Sequence, residues 1–324
     1  MLYKKKLRLI DANILYLLGA ILFLTIGFYL QSLNLELGLI LTQFSIIFMP
    51  PFVYLLIKGL PIKSTMRLNK LSIKHSLMIV CITLLMYPIA AMANALFLFI
   101  LSLLGNLNVP ELPTATNTSQ YILLLVIISL SAGICEEVFF RGFILRGYQK
   151  LGRAKSVIIS SILFGIFHFN IYNLLGPIIL GIIFGYLVLL TDSLYAGIIG
   201  HIVNNGFAVT LGFLINISND LLQNSHEAVV DLPTSRVLLQ GMLSLAVIGI
   251  ITGIIAFKLI KIIKMDLKKE NNFLDWNKIY EIGQKYEKEK DNKISVVEFL
   301  PVLPVLIFYI VVAFMQINEI ISLG

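Results

Sequence analysis

The stretch that decides the fold is Gly133-Ile134-Cys135-Glu136-Glu137-Val138-Phe139-Phe140-Arg141-Gly142, which sets two adjacent carboxylates and an arginine into an apolar run. Ionisable side chains are costly inside a membrane, and those that occur there mark functional sites. The stretch therefore predicts a functional site, provided that the chain around it spans a membrane.

The composition is that of a membrane protein. The 324 residues are 58% hydrophobic and 13% charged, whereas a soluble domain has about 25% charged residues, and the mean hydropathy is +0.91. We expect an all-α, polytopic transmembrane helical bundle. Cys81 and Cys135 both lie in apolar runs, so neither a disulfide framework nor a thiolate metal cluster is expected.

Nine apolar runs are long enough, or nearly so, to cross about 30 Å of hydrocarbon. They fall at about 12–32, 37–57, 76–104, 120–145, 156–172, 175–190, 194–215, 237–260 and 297–318. We predict about eight or nine spans. They are grouped as N-terminal helices over 1–119, a catalytic core over 120–215 and C-terminal helices over 216–324.

Basic residues fall on alternate connections. All 25 Lys and Arg residues except Arg236 lie before the first run, between the second and third, at or after the end of the fourth, or between the eighth and ninth. This positive-inside pattern predicts a cytoplasmic N-terminus. The net charge of +7 then reflects topology and contact with the lipid bilayer, and no nucleic acid partner is expected.

Two connections carry further predictions. The charged segment at about 264–296 is expected to be either an interfacial amphipathic helix on the cytoplasmic side or a solvated loop. His75 and His226 lie in polar connections and are expected to be solvated.

Helical phase divides the charges of the opening stretch. Each residue of a helix advances by about 100°, so Glu136 and Glu137 point in different directions. Glu137 and Arg141 are four residues apart, which places them on one face, with the acid N-terminal to the cation. We therefore expect Glu137 and Arg141 to form a supporting pair and Glu136 to face something else.

Two further polar groups lie in apolar runs. Phe164 and His168 are four residues apart in the fifth run, so the aromatic ring should pack one turn before the imidazole. His201 and Asn205 share a face of the seventh run. At about 1.5 Å per residue, Glu136, His168, His201 and Asn205 lie roughly 14 to 20 Å from the basic side, so they can converge in one cavity.

A carboxylate, two imidazoles and a carboxamide are suited to amide hydrolysis. Glu136, removed from bulk water, could take a proton from a water molecule that His168 orients, while His201 and Asn205 donate hydrogen bonds to the oxyanion. The alternative is a metal site, since Glu136, His168 and His201 match the ligand set of catalytic zinc. The sequence does not choose between a divalent metal such as zinc and no cofactor.

Each group also has a structural explanation. A single buried histidine is more often a satisfied hydrogen-bonding group than a catalyst, and His201 with Asn205 could simply join helices. A self-satisfied network does not, however, require an unpaired Glu136 beside two histidines. The combination favours function.

The residues also carry a resemblance. Glu136-Glu137-x-x-x-Arg141, Phe164-x-x-x-His168 and His201-x-x-x-Asn205, in this order and inside hydrophobic segments, resemble the three motifs of the CPBP family of intramembrane proteases. That family includes CAAX prenyl endopeptidases and the Abi-like bacterial proteins linked to bacteriocin processing and self-immunity. The resemblance covers about residues 120–210.

The resemblance implies a role for each motif residue. Glu136 would activate water with His168 as its partner, His201 and Asn205 would form the oxyanion site, and Glu137, Arg141 and Phe164 would support them. Family members are described both with a metal and as metal-independent glutamate proteases. Their substrates are cut near the cytoplasmic face, in the prenyl endopeptidases after a lipidated cysteine.

We therefore predict an intramembrane endopeptidase that acts on a membrane-associated, hydrophobic or lipidated peptide. The Lys-, Asn- and Ile-rich composition favours a bacterial plasma membrane, where a leader peptide is a more plausible substrate than a prenylated protein. The alternative is a non-catalytic immunity or binding protein of the same fold. A proton-coupled transporter is less favoured, because the sequence shows no inverted repeat of broken helices.

Overall fold

The computed structural model describes residues 6–110, 113–222, 235–269 and 294–323, with only the backbone of residues 220–222. These residues are helical, and no strand occurs among them, so the all-α prediction is confirmed. In chain order the long helices are α1 Leu9–Leu33, α2 Leu35–Lys58, α3 Ile73–Ser102, α4 Thr118–Leu151, α5 Arg153–Ile166, α6 Leu175–Thr191, α7 Leu194–Leu222, α8 Ser235–Lys269 and α9 Val296–Ser322.

Eight helical segments of the described chain are long and apolar enough to cross a membrane. The fifth of the nine predicted spans, at 156–172, is wrong as a full membrane-spanning helix. Its counterpart α5 has 14 residues, or about 21 Å at 1.5 Å per residue, which is less than the hydrocarbon thickness. The helix ends at Ile166, and Phe169 adopts a left-handed conformation with φ of 48°.

Helices α5 and α6 form an antiparallel hairpin. Arg153, at the start of α5, donates from Nη2 to the carbonyl of Leu189 near the end of α6 at 2.5 Å. A Cβ on Gly181 would lie 2.8 Å from Cβ of Ser161, so the two helices need a glycine there to approach this closely. The turn of the hairpin lies beside α3, where Asn94 donates to the carbonyl of Tyr172 at 2.9 Å.

Polar contacts join the helix ends on two opposite sides of the bundle. On one side Arg67 Nε lies 3.1 Å from Asp192 Oδ1 and Lys74 Nζ lies 2.6 Å from Asp266 Oδ2. On the other side Asn108 donates to Glu319 Oε1 at 2.8 Å. The segments therefore run alternately up and down, with the basic connections on the side of Arg67.

The ion pair of Arg67 and Asp192 lies in the connections before α3 and before α7. Burial lowers the pKa of the Arg67 guanidinium to about 9, and burial raises the pKa of the Asp192 carboxyl. Desolvation thus outweighs the attraction of the pair. Asn69, which donates to both the carbonyl and Oδ2 of Asp192, helps to fasten these two connections together.

Of the predictions about the connections between helices, one is wrong and the others stay untested. His75 is 3% exposed and its Nε2 lies 3.6 Å from Asp266 Oδ2, so the expectation that it is solvated is wrong. The reason is that α3 begins earlier than the apolar run, at Ile73, and carries His75 against α8. His226 and most of the charged segment at 264–296 lie outside the described residues, so those predictions stay untested.

An aromatic core lies between α1, α4 and α5, directly beside the polar groups. Phe139, Phe140 and Phe167 are almost fully buried and pack ring against ring. Tyr16 of α1 donates its hydroxyl to the carbonyl of Leu163 in α5 at 2.9 Å. This core fixes the faces of α4 and α5 that carry the predicted site. By contrast α8 and α9 expose large apolar side chains such as Phe257 and Phe314, as lipid-facing helices do.

Candidate active site

The opening stretch changes its helical geometry directly after its second carboxylate. Ala132–Glu137 is α-helical and Val138–Ile144 forms wider π-helical turns, which occur frequently at functional sites. Glu137 and Arg141 are buried, and Arg141 Nη1 lies 2.7 Å from Glu137 Oε1. The contact is an ion pair rather than a well-directed hydrogen bond, because neither Nη atom of Arg141 has a hydrogen-bond partner among the described residues.

Glu137 also holds His201. Its Oε1 lies 2.9 Å from His201 Nδ1, so one carboxylate oxygen contacts both a guanidinium of α4 and an imidazole of α7. An ionised carboxylate only accepts hydrogen bonds, so Nδ1 of His201 carries a proton. The other ring nitrogen, Nε2, lies 3.9 Å from Glu136 Oε2. His201 therefore bridges the two adjacent acids of the motif.

Close packing of α7 on α4 depends on two glycines. A Cβ on Gly197 would lie 2.5 Å from Glu137 Oε2, and a Cβ on Gly133 would lie 2.6 Å from the side chain of Ile202. Both distances are too short for real contacts, so a larger residue at either position would displace the neighbouring side chain or push the helices apart. The glycine pattern thus lets the Glu137 carboxylate reach the backbone of α7.

Glu136 faces α2. Gln43 donates from Nε2 to Glu136 Oε1 at 2.8 Å, and the Glu136 side chain is 17% exposed. Gln43 was missed in the sequence. The signal that could have found it is a glutamine in the middle of the second apolar run, where an uncharged polar side chain needs a partner.

His168 lies beyond the end of α5 rather than inside a helix. Its backbone N–H bonds to the carbonyl of Gly165 at 3.3 Å, and its Nδ1 lies 2.9 Å from the carbonyl of Phe164. A carbonyl accepts only, so Nδ1 donates, as side chains at a helix C-terminus often do. Nε2 of His168 is the nitrogen left to act on a water or a substrate.

Phe164 is the centre of the group. Its ring meets the ring of His168 edge-on at a centroid distance of 5.0 Å and that of His201 edge-on at 5.8 Å. The guanidinium carbon of Arg141 lies 4.4 Å from the same centroid, within cation–π range. The ring of Phe184 in α6 stacks on His201 at 5.7 Å. No sequence signal distinguished Phe184 from the other aromatics of the apolar runs.

Asn205 lies one turn beyond His201 on α7. Its Nδ2 donates to the carbonyl of Ile128 at 2.9 Å, and its Oδ1 accepts from Asn204 at 3.0 Å. One N–H of the Asn205 amide is thereby used to join α7 to α4. Asn205 has no direct contact with Glu136 in the described part of the chain, so its oxyanion role stays a prediction.

The described residues do not gather a set of metal ligands. No three His, Cys, Asp or Glu side chains among them lie close enough to share an ion. Nδ1 of His201 bonds Glu137, and Nδ1 of His168 bonds a carbonyl, which leaves Nε2 of each histidine. A histidine ligand needs only one ring nitrogen, so these bonds do not decide between the two alternatives, and the metal site of Glu136, His168 and His201 stays a prediction.

The three motifs come together as follows. Glu136, Glu137 and Arg141 of α4 and His201 of α7 are in direct contact, and His168 joins them through the ring of Phe164. Two carboxylates, one guanidinium and two imidazoles thus share a poorly hydrated space, where charge interactions are strong. Such an arrangement can hold a water molecule, take its proton and stabilise a negative charge.

Comparison with known proteins identifies the same part of the chain. Residues 118–207 match the family described as type II CAAX prenyl endopeptidase Rce1-like. The Bacillus subtilis (strain 168) protein named "Putative membrane peptidase YdiL" is 31% identical over 106 residues, which are 32% of this chain and 43% of that protein. No solved structure gives a significant match.

The matched segment begins at the start of α4 and ends in α7, so it contains all three motifs and every residue predicted for the site. The chain spans less than half of the length of the relative that it matches. The family match over residues 118–207 and the similarity to this relative support the resemblance to the CPBP intramembrane proteases in that part of the chain.

Proposed function

We propose that this chain is an intramembrane endopeptidase in which Glu136 activates water to hydrolyse a peptide bond. The proposal is supported by the family match over residues 118–207 and by the single observation that carries it, the placement of Glu136 Oε2 at 3.9 Å from His201 Nε2. That separation is too long for a direct hydrogen bond. It fits one water oxygen at about 2.8 Å from each atom.

The two side chains on either side of this water position, Glu136 and His201, are each held by a further hydrogen bond. Gln43 donates to the other oxygen of Glu136, and Glu137 binds the other nitrogen of His201. Neither side chain needs to rotate to meet a water molecule. Such fixed donors and acceptors cost little reorganisation during the reaction, which is the basis of electrostatic catalysis.

The reaction follows general acid–base chemistry. Glu136 takes a proton from water while the water oxygen bonds to the scissile carbonyl carbon, whose oxygen becomes an oxyanion. His201, with a proton on Nε2 as well as on Nδ1, and the remaining N–H of Asn205 donate hydrogen bonds to the oxyanion, and His168 orients the water or shares its proton. The C–N bond then breaks, and Glu136 returns the proton to the leaving amine. No step is assigned to a metal, because the described residues do not gather a ligand set.

The surroundings of the site favour an apolar substrate. The site lies among helices that are apolar enough to span a membrane, beside the aromatic cluster of Phe140, Phe164 and Phe167. A hydrophobic or lipidated peptide reaches such a site along the bilayer. In a bacterial plasma membrane, a leader peptide or another membrane peptide fits this requirement.

The test compares membrane peptides from cells that carry wild-type protein and cells that carry Glu136→Gln. We expect one or more peptides to accumulate uncleaved in the Glu136→Gln cells, with the matching products only in wild type. Glu36→Gln, which changes an exposed acid at the start of α2, serves as the control and should behave as wild type. Identical peptides with and without Glu136, together with a phenotype that survives the substitution, would instead support a binding protein.

A further inference from the structure

Gln43 lies in the second helix, outside the segment that matches the family, yet it hydrogen-bonds the proposed base. We propose that Gln43 is a positioning residue that holds the Glu136 carboxylate turned toward the water position. The inference rests on the proposed function for its catalytic meaning. The contact itself, Gln43 Nε2 to Glu136 Oε1 at 2.8 Å, can be tested without a substrate.

The chemistry of the two side chains fixes the direction of the bond. An ionised carboxylate can only accept a hydrogen bond, so the amide must present its nitrogen to Glu136. The amide oxygen of Gln43 then faces the other way. It is buried and has no hydrogen-bond partner among the described residues. A buried acceptor without a partner is costly. The amide oxygen therefore does not explain why the Gln43 side chain is buried at this position.

Glu136 depends on this donor. Among the described residues Gln43 is the one side chain that hydrogen-bonds it. The charged and titratable groups around Glu136 are otherwise engaged, because Arg141 pairs with Glu137, and His201 binds Glu137 while remaining 3.9 Å from Glu136. His168 is fastened to its own helix end. Helix α2 places no titratable group beside Glu136. Its polar contact with Glu136 is therefore the Gln43 amide alone.

The local structure of α2 explains how the amide is aimed. Thr42–Phe48 forms a π-helical turn, in which an extra residue per turn shifts the direction of the side chains. Thr42, Ile46 and Ile47 on either side of Gln43 are buried. The neighbours of Gln43 therefore anchor α2 against the bundle and point the amide at α4.

The experiment is an infrared comparison of the purified full-length protein at one fixed pH. The difference between wild type and Glu136→Gln identifies the stretching bands of the Glu136 side chain. A carboxyl group that loses a hydrogen-bond donor changes the frequency of these bands. In Gln43→Met, which keeps the side-chain size, we therefore expect the Glu136 bands to move from their wild-type position.

Two further variants keep the result interpretable. Gln31→Met removes the amide of a glutamine that bonds Thr42 at 3.3 Å, so its Glu136 bands should match wild type. Gln43→Glu retains a polar side chain but replaces the amide donor, so its Glu136 bands should also differ from wild type. Wild-type Glu136 bands in both Gln43 variants would overturn the proposal, whatever their activity.

A kinetic measurement separates this proposal from the proposed function. The probe is a peptide that accumulates in Glu136→Gln cells. With Gln43→Met we expect kcat to fall about tenfold and KM to stay unchanged. An increase in KM alone would make Gln43 a substrate contact and overturn its positioning role. No cleavage by wild type would refute the proposed function, while the spectroscopic result would still stand.

Discussion

Glu137 Oε1 lies 2.9 Å from His201 Nδ1 and 2.7 Å from Arg141 Nη1, so the second acid of the motif supports a histidine of another helix as well as its own arginine. Helical spacing predicted only the contact with Arg141. The contact with His201 gives Glu137 a direct part in the geometry of the water position. In the proposed mechanism the two adjacent acids have different roles, since Glu136 would activate the water and Glu137 fixes the imidazole opposite it.

Glu137→Ala should destabilise the protein and abolish cleavage. Arg141 is 1% exposed, and the variant leaves it as an uncompensated buried charge, which costs about 3–5 kcal/mol. Thermal unfolding in detergent measures the loss. Glu36→Ala, at an exposed position, is the control and should unfold as wild type does. A wild-type unfolding temperature for Glu137→Ala would show that the ion pair does not stabilise the fold.

The double variant Glu137→Leu with Arg141→Met separates stability from catalysis. Replacing both partners of a buried ion pair by apolar side chains is often neutral or stabilising, so we expect the unfolding temperature to recover toward wild type. Cleavage should not recover, because His201 still lacks its partner. Thermal unfolding and the peptide comparison are measured on the same preparation. Recovery of cleavage would show that Glu137 acts only through Arg141.

Gly197→Ala should reduce both stability and cleavage. The added methyl group would lie 2.5 Å from Glu137 Oε2 and 2.9 Å from Val188, and overpacking of this kind costs typically about 1–3 kcal/mol. Relief by movement of Glu137 would displace His201. The matched control is Gly241→Ala in α8, where nothing lies within 4 Å, and it should unfold like wild type or at a slightly higher temperature. Equal behaviour of the two variants would argue against the close approach of α7 and α4.

The sequence predicted the parts of the site that follow from helical spacing. The pair of Glu137 and Arg141 lies on one helix, so its geometry follows from a four-residue separation. The partnership of Gln43 with Glu136 joins positions 93 residues apart. No periodicity within one helix can specify such a contact. The sequence does not predict the stacking of Phe184 on His201 for the same reason, because this contact depends on how α6 packs against α7.

The fold was predictable in class but not in the length of the fifth helix. Apolar residues continue from 156 to 172, and hydropathy alone reads this run as one span. The helix instead ends at Ile166, and the chain turns at Phe167 and His168. This early end places His168 in a turn, where its side chain bonds a terminal carbonyl. Hydropathy does not report such a helix end, because Phe167 and Phe169 beside it are apolar and buried.

Phe164→Leu should lower cleavage more than stability. The phenyl ring contacts His168, His201 and the Arg141 guanidinium, and leucine keeps an apolar side chain but loses the flat surface on which they pack. We expect kcat to fall by about tenfold or more, because misplacing catalytic groups by 1 Å can cost about a hundredfold. Phe314→Leu on the exposed surface of α9 is the control and should keep full activity. An unchanged kcat with Phe164→Leu would show that the ring does not position the histidines.

The direction of the bundle in the membrane can be tested by cysteine labelling. Lys63 is exposed in the basic connection before α3, and Asn108 is exposed at the opposite end of the bundle. In a Cys81→Ala, Cys135→Ala background, we expect Asn108→Cys to react with a membrane-impermeant maleimide in intact cells. Lys63→Cys should react only after the cells are opened, because basic connections stay in the cytoplasm. Labelling of Lys63→Cys in intact cells would reverse the orientation and place the basic end outside.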